Sequence, residues 1–342
     1  MFTRPTPLII LSTVAMLILS LFVVMAQDDG YARELFRGKD LLRQRNYEDA
    51  LKSFKRANEL RQKKSAECYN WMCETYLAMG VYKNVVDAAD KVIEFAGDDK
   101  QLLLKAYCNK GFALQTLAER KDAKKLQAAE AAYRQALTME GAAPRIHYYL
   151  GVTLLQLNRD AEGIAEINEY IKLQPTATNL SEARKIVENP RRARENYAPE
   201  FSFTSAQGEH IDLEELRGKV VVLDFWATWC PPCVESVPAI RNLHKRFAKE
   251  PSVVLLGISA DTEDDVWREF TTQHSMIWPQ YRDLDRRLLR AFRISAFPTY
   301  IVIDSEGIVR YQSEGAGWAD SAHLSDAIQK EVKKVAKGVE GR

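Results

Sequence analysis

Two thiols, Cys230 and Cys233, stand three positions apart in Trp229-Cys230-Pro231-Pro232-Cys233, directly after the apolar run Val220-Val221-Val222-Leu223-Asp224-Phe225. A strand running straight into Cys-x-x-Cys leaves the first sulfur at the opening of a helix. Unpaired N–H groups and the positive end of the helix dipole favour a thiolate there. The second sulfur lies one turn further in, within reach for a disulfide. This pattern points to dithiol–disulfide exchange. A structural zinc site is the first alternative, but it needs four ligands. The other cysteines, Cys68, Cys73 and Cys108, are distant in sequence and the five histidines are scattered singly. A purely structural disulfide is the second, and a loop this short would staple little chain.

The surroundings of the pair resemble a TlpA-like member of the thioredoxin superfamily. The matching text is Ala198-Pro199-Glu200-Phe201, Leu216-Arg217-Gly218-Lys219, Asp224 through Cys233, Val253 to Ser259 with Asp261 behind it, Phe297-Pro298-Thr299, and Ile303-Asp304 leading to Gly307. The resemblance implies that Cys230 attacks a substrate sulfur and that Cys233 resolves the mixed disulfide. Asp224 matches a buried acid that relays a proton to or from the resolving thiol, and burial would raise its pKa towards neutrality. Pro298 matches a cis-proline facing the dithiol. Phe297, Trp229, Pro231 and Pro232 are the residues expected to meet an incoming substrate, and Trp226 is expected in the core. One place departs from the pattern: many TlpA-like proteins carry a glutamate three residues after the second cysteine, and here that residue is Ser236, with Glu235 one position earlier. A glutamate-tuned preference for cytochrome c haem-site thiols is therefore not carried over.

The elements that must hold these residues read as an α/β domain. Val220–Phe225, Val253–Ser259 and Thr299–Ile303 are near-continuous apolar runs, as strands covered on both faces require. Between the first two, Val237, Ile240, Leu243 and Phe247 recur at helical spacing, with Pro238 expected to bend the helix. Short helices are predicted over Glu263–Gln273 and Asp285–Phe292, a turn at Gly307, a strand from Ile308 and a last helix from about Ala319.

Upstream, residues 31–175 repeat at a period of about 34. Gly38, Ala50, Phe54 and Ala57 occupy the small and aromatic packing places of a tetratricopeptide repeat. Cys73, Val85, Ala89 and Val92 follow at the same spacing, then Gly111, Ala129, Tyr133 and Ala136 after an insertion around Arg120–Lys125. Gly151, Gly163, Ile167, Tyr170 and Pro175 form the last copy. Such helix pairs stack into a solenoid that binds protein segments or serves as a spacer. Cys68, Cys73 and Cys108 then read as small buried hydrophobes.

At 342 residues the chain has room for two cores. The expected organisation is a signal peptide or N-terminal anchor over 1–26, helical repeats over 27–178, a basic capping helix and linker over 179–198, and a thioredoxin-like domain over 199–342. Fold class is thus an all-α repeat solenoid followed by a thioredoxin-like α/β domain. The apolar run Leu8–Ala26 ends in Val24-Met25-Ala26-Gln27, a pattern of signal-peptidase cleavage. That places the folded part in an oxidising extracytoplasmic space, best a bacterial periplasm. Net charge is +1, the helical half basic and the redox half acidic, and the basic run Ser181–Asn196 reads as a solvated face with no nucleic-acid role. No cofactor or metal is expected beyond the redox disulfide. The expected partners are a protein disulfide or dithiol substrate, an upstream membrane thiol relay as reductant, and a protein held by the repeats. A thiol peroxidase of the same fold is the rival enzyme, although its usual Thr-x-x-Cys is broken here by Ala227. A non-enzymatic adaptor is the rival from another class.

Overall fold

The structure, a computed structural model, describes residues 29–315 and 321–340. The expected signal or anchor segment lies outside the described residues. The chain divides into two compact units, one ending at Arg194 and the other beginning at Glu195.

The first unit is all helical. It comprises α1 (29–43), α2 (Tyr47–Leu60), α3 (Ala66–Met79), α4 (Tyr82–Phe95), α5 (Lys100–Leu117), α6 (Ala123–Leu137), α7 (Arg145–Gln156), α8 (Asp160–Leu173) and α9 (Leu180–Glu188). From α2 to α9 each helix packs on the next. The repeat signature has a direct physical basis. A Cβ on Gly38 would stand 2.5 Å from the Phe54 ring, one on Gly111 2.6 Å from Tyr133, and one on Gly151 2.5 Å from Ile167. In these three pairs the glycine of the first helix makes room for the large residue of the second. The insertion in the third copy lies between its helices: residues 118–122 separate α5 from α6, against 80–81 between α3 and α4. α6 begins six residues before Ala129, where α4 begins three before Val85. Gly151→Ala is therefore expected to destabilise this unit by about 1–3 kcal/mol through overpacking. The new methyl would also meet the Gly163 carbonyl oxygen at 2.8 Å, which outweighs the roughly 1 kcal/mol that alanine gains in helix propensity. Urea unfolding of the full chain followed by far-UV circular dichroism reads that loss.

The stretch expected as a basic capping helix and linker over 179–198 contains α9, which packs on α8. Ala183 and Ile186 of α9 are buried, and a 3₁₀ turn over Pro190–Ala193 buries Ala193 against the same cluster. Arg194 then pairs with Asp160 and donates to the Leu155 carbonyl at 2.8 Å. Asn189-Pro190 ends the helix as predicted, but apolar side chains beyond it keep the chain docked. On the other side of the boundary the chain joins the second unit at once. The Asn196 carbonyl accepts from Val309 N–H at 2.8 Å, and Ala198 is buried in that unit's core.

The second unit opens with a small antiparallel pair, β1 (Ser202–Thr204) and β2 (His210–Asp212). Its main sheet contains β3 (Val220–Trp226), β4 (Val253–Ser259), β5 (Gln280–Arg282), β6 (Thr299–Ile303) and β7 (Val309–Glu314), in the order β5-β4-β3-β6-β7. β4 runs parallel to β3 and to β5, whereas β6 is antiparallel to β3 and to β7. Helices α10 (Pro231–Phe247), α11 (Asp264–Gln273), α12 (Arg287–Ala291) and α13 (Ser321–Glu340) complete it. All seven residues of β3 are buried, which explains their unbroken apolar run. Gly307 adopts φ 83° in the turn between β6 and β7, a backbone state that favours glycine. α10 continues through Pro238, which lies on its exposed side.

Candidate active site

The carboxyl end of β3 delivers its chain into α10, and the two cysteines straddle that junction. Cys230 caps α10, with its Sγ accepting from Cys233 N–H at 3.2 Å. Pro231 and Pro232 fill the first two helical positions, where an N–H would have no intrahelical acceptor. Both prolines are exposed. Cys230 and Cys233 are joined by a disulfide with Cα atoms 5.2 Å apart. Cys230 retains 6 % exposure against 1 % for Cys233, so an approaching sulfur meets Cys230 first. A thiolate at Cys230 would gain from the helix dipole and from the Cys233 N–H.

Asp224 lies mid-strand, between Gly257 of β4 and Tyr300 of β6. Burial pushes its carboxyl up to about 7. Strand alternation gives it the face of Val222, which borders a cavity together with Leu243 and Phe247 of α10 and Ile328 of α13. Asp224 therefore sits beneath α10, the helix that carries Cys233. A carboxyl that titrates near neutrality under a dithiol can hold or release a proton as the sulfurs change state.

The third wall comes from β6. Thr299 pairs with Phe225, and continuing that register sets Pro298 beside Trp226, where β3 leaves the sheet. The Phe297–Pro298 peptide bond is cis, and Pro298 is buried. Trp229 is 60 % exposed and meets Phe297 edge-on, ring centroids 5.6 Å apart. Trp226 is buried, and its Nε1–H donates to Gln280 Oε1 at 3.3 Å. Ser236, in the place of the family glutamate, is buried and donates to the Cys233 carbonyl at 2.7 Å, while Glu235 is exposed.

Sequence reasoning missed one member of this neighbourhood. Asp261 was noted only as part of the family resemblance, yet its carboxylate accepts from both the N–H and the hydroxyl of Thr228. The other three cysteines lie in the helical unit as free thiols. Cys68 and Cys73 are buried and Cys108 is half-buried. Burial pushes the Cys73 thiol up to about 12, and Cys68 and Cys108 upward by the same cause, so they stay protonated and unreactive at neutral pH. Among the described residues no group of three or more His, Cys, Asp or Glu side chains is placed to hold a metal ion.

Comparison with known proteins agrees with this arrangement. The AhpC/TSA family profile matches residues 195–312, and a tetratricopeptide repeat profile matches residues 119–178. The thiol-disulfide oxidoreductase ResA of Bacillus thuringiensis (strain Al Hakam) is 33% identical over 118 residues, 34% of this chain and 68% of that protein. ResA of Bacillus subtilis (strain 168) is 34% identical over 112 residues, 33% of this chain and 62% of that protein. Among solved structures, a thioredoxin family thiol:disulfide interchange protein from Chlorobium tepidum TLS aligns with 26% identity and a TM-score of 0.37, covering 41% of this chain and 97% of that one. A dithiol at the head of α10 and relatives that carry out thiol–disulfide chemistry lead to one conclusion: the chain belongs to the thioredoxin-like thiol-disulfide oxidoreductases, with tetratricopeptide repeats on its N-terminal side.

Proposed function

We propose that this protein reduces protein disulfides in an extracytoplasmic space, with its repeats recruiting a protein partner. The observation that carries the chemistry is the Cys230–Cys233 disulfide at the α10 N-terminus above a carboxyl poised near neutral pH. The cycle starts when an upstream dithiol, of a membrane thiol relay, passes two electrons to the disulfide and leaves Cys230 and Cys233 as thiols. Cys230 thiolate attacks one sulfur of a substrate disulfide. The Cys230–substrate bond forms as the substrate S–S bond breaks, and the leaving thiolate takes a proton. Cys233 then loses its proton to Asp224 and attacks Cys230 Sγ. The intramolecular disulfide reforms and the second substrate thiol is released. Trp229, Phe297, Pro231 and Pro232 border the approach to Cys230 and are assigned to substrate contact, with Pro298 shaping the wall opposite.

Support for the location comes from the apolar run Leu8–Ala26 and from the chemistry, which requires a compartment that supplies disulfides. No helix of the described residues is long and apolar enough to cross a membrane. Recruitment is assigned to the repeats because stacked helix pairs present extended surfaces for protein segments.

A single-turnover assay tests the reading. Reduced full-length protein mixed with a disulfide-bonded protein such as insulin is expected to yield two substrate thiols for each Cys230–Cys233 disulfide formed. Consumption of hydrogen peroxide in place of the protein disulfide would favour a thiol peroxidase. Recruitment predicts that Gly151→Ala slows exchange with partner-bound substrate while exchange with a small disulfide keeps its rate. Equal slowing of both would assign the repeats to fold support alone.

A further inference from the structure

The residues that follow β4 return to the loop that precedes the cysteines. Ala260 N–H donates to the Trp226 carbonyl at 2.9 Å, so the chain after β4 still flanks the chain leaving β3. One residue later stands Asp261, only 3 % exposed. Its Oδ1 accepts from Thr228 N–H at 3.1 Å and from Thr228 Oγ1–H at 2.7 Å. Its Oδ2 accepts from Thr228 N–H at 3.1 Å and from Ser259 Oγ–H at 2.7 Å. Ser259 is held in turn, because its Oγ accepts from Asp261 N–H at 2.9 Å. Charge-assisted hydrogen bonds of this kind are about twice as strong as neutral ones. All are made to a single residue of the active-site turn or to the strand end beside it.

Thr228 has Trp229 and Cys230 immediately after it. The turn they share is otherwise closed by Cys230 N–H donating to the Ala227 carbonyl at a longer 3.3 Å. Trp229 itself is largely exposed and touches Phe297 only by its edge. The strongest restraint on the lead-in to Cys230 is therefore the Asp261 carboxylate, placed 33 positions away in sequence.

We propose that Asp261 is a positioning residue for disulfide exchange: through Thr228 it holds the turn that keeps Cys230 Sγ over the α10 N-terminus and Trp229 against Phe297. This rests on Cys230 being the attacking thiol. With the tether lost, Cys230 spends less time against the Cys233 N–H, its thiolate is less stabilised, and substrate meets a looser Trp229 wall.

The test follows Cys230 alone in the reduced full-length protein, by the pH dependence of iodoacetamide labelling read from the mass of its peptide. Asp261→Ala is expected to move the labelling profile to higher pH, to lower the neutral-pH rate about tenfold and to raise KM for a disulfide-bonded protein. Asp261→Asn keeps an oxygen acceptor for Thr228 and is expected to stay within about twofold of the parent, as is Thr228→Ser, which keeps the hydroxyl. Thr228→Val removes only the hydroxyl contact and is expected to fall between; it also serves if Asp261→Ala fails to fold. An unchanged profile in folded Asp261→Ala, or in Thr228→Val, overturns the proposal while leaving the exchange mechanism intact. Parent protein whose Cys230 labels no faster than an ordinary thiol overturns the mechanism beneath it.

Discussion

Cys230→Ser is expected to lower disulfide exchange to the uncatalysed rate, a loss of roughly a thousandfold or more, because no other thiol can start the reaction. Cys233 is nearly inaccessible and the remaining three thiols are held protonated by burial in the other unit. Cys233→Ser gives a different signature. Attack by Cys230 proceeds, the resolving step is blocked, and a mixed disulfide with substrate accumulates. Non-reducing electrophoresis of the full-length variant after exposure to a disulfide-bonded protein separates the two cases. A covalent adduct in the Cys230→Ser variant, or none in the Cys233→Ser variant, would reverse the assignment of attacking and resolving sulfurs.

Asp224→Asn is expected to move activity and stability in opposite directions. In the oxidised fold Asp224 keeps its proton up to about pH 7, whereas in an unfolded chain an aspartate releases it near pH ~3.9. Between those values the folded state holds the extra proton, so stability falls as pH rises. Above the folded value the loss is complete, on the order of 4 kcal/mol for a three-unit shift. Asparagine carries no charge to desolvate and removes this penalty, so the variant is expected to be more stable than the parent at pH 8 and similar to it below pH 4. It cannot exchange a proton with Cys233, and the resolving step is expected to slow about a hundredfold. Urea unfolding of the oxidised protein across this pH range, followed by tryptophan fluorescence, measures the first effect; stopped-flow decay of the mixed disulfide measures the second. A variant that loses stability at pH 8 while keeping its resolving rate would make Asp224 a structural residue.

The parts of this site that were legible in the sequence are those that local chemistry specifies. β3 is buried along its whole length, so its apolar run could be read directly, and Asp224 stood out as the only charge within it. The cysteine spacing fixes the helix cap by itself. Phe297-Pro298 could be placed only through family resemblance, since nothing local in those two residues brings them to Trp226; the β3–β6 register does. The strands that went unread, β1, β2 and β5, have three residues each and exist because a neighbour supplies their hydrogen bonds. Gln280–Arg282 pairs with Gly257–Ser259, where a side chain on Gly257 would collide with Gln280. The Asp261–Thr228 contact was hidden for the same reason: parallel pairing of β3 and β4 creates it. In the helical unit the repeat was readable because Gly38, Gly111 and Gly151 stand where Phe54, Tyr133 and Ile167 leave no room for a Cβ. The basic run Ser181–Asn196 was legible as charge, but charge marks exposed side chains and says nothing about Ala183, Ile186 and Ala193, which are buried beneath it.

The claim on which everything else depends is that Cys230 and Cys233 form a reversible two-electron couple. Full-length protein equilibrated in graded glutathione buffers, then alkylated and weighed peptide by peptide, tests it directly. Cys230 and Cys233 are expected to lose and regain their thiols together along a single two-electron curve, near the thioredoxin end of the scale at about −270 mV if the protein is a reductase. A midpoint near about −120 mV would reverse the direction of electron flow. A pair that never reopens, or a Cys230 that oxidises without Cys233, would contradict disulfide exchange itself.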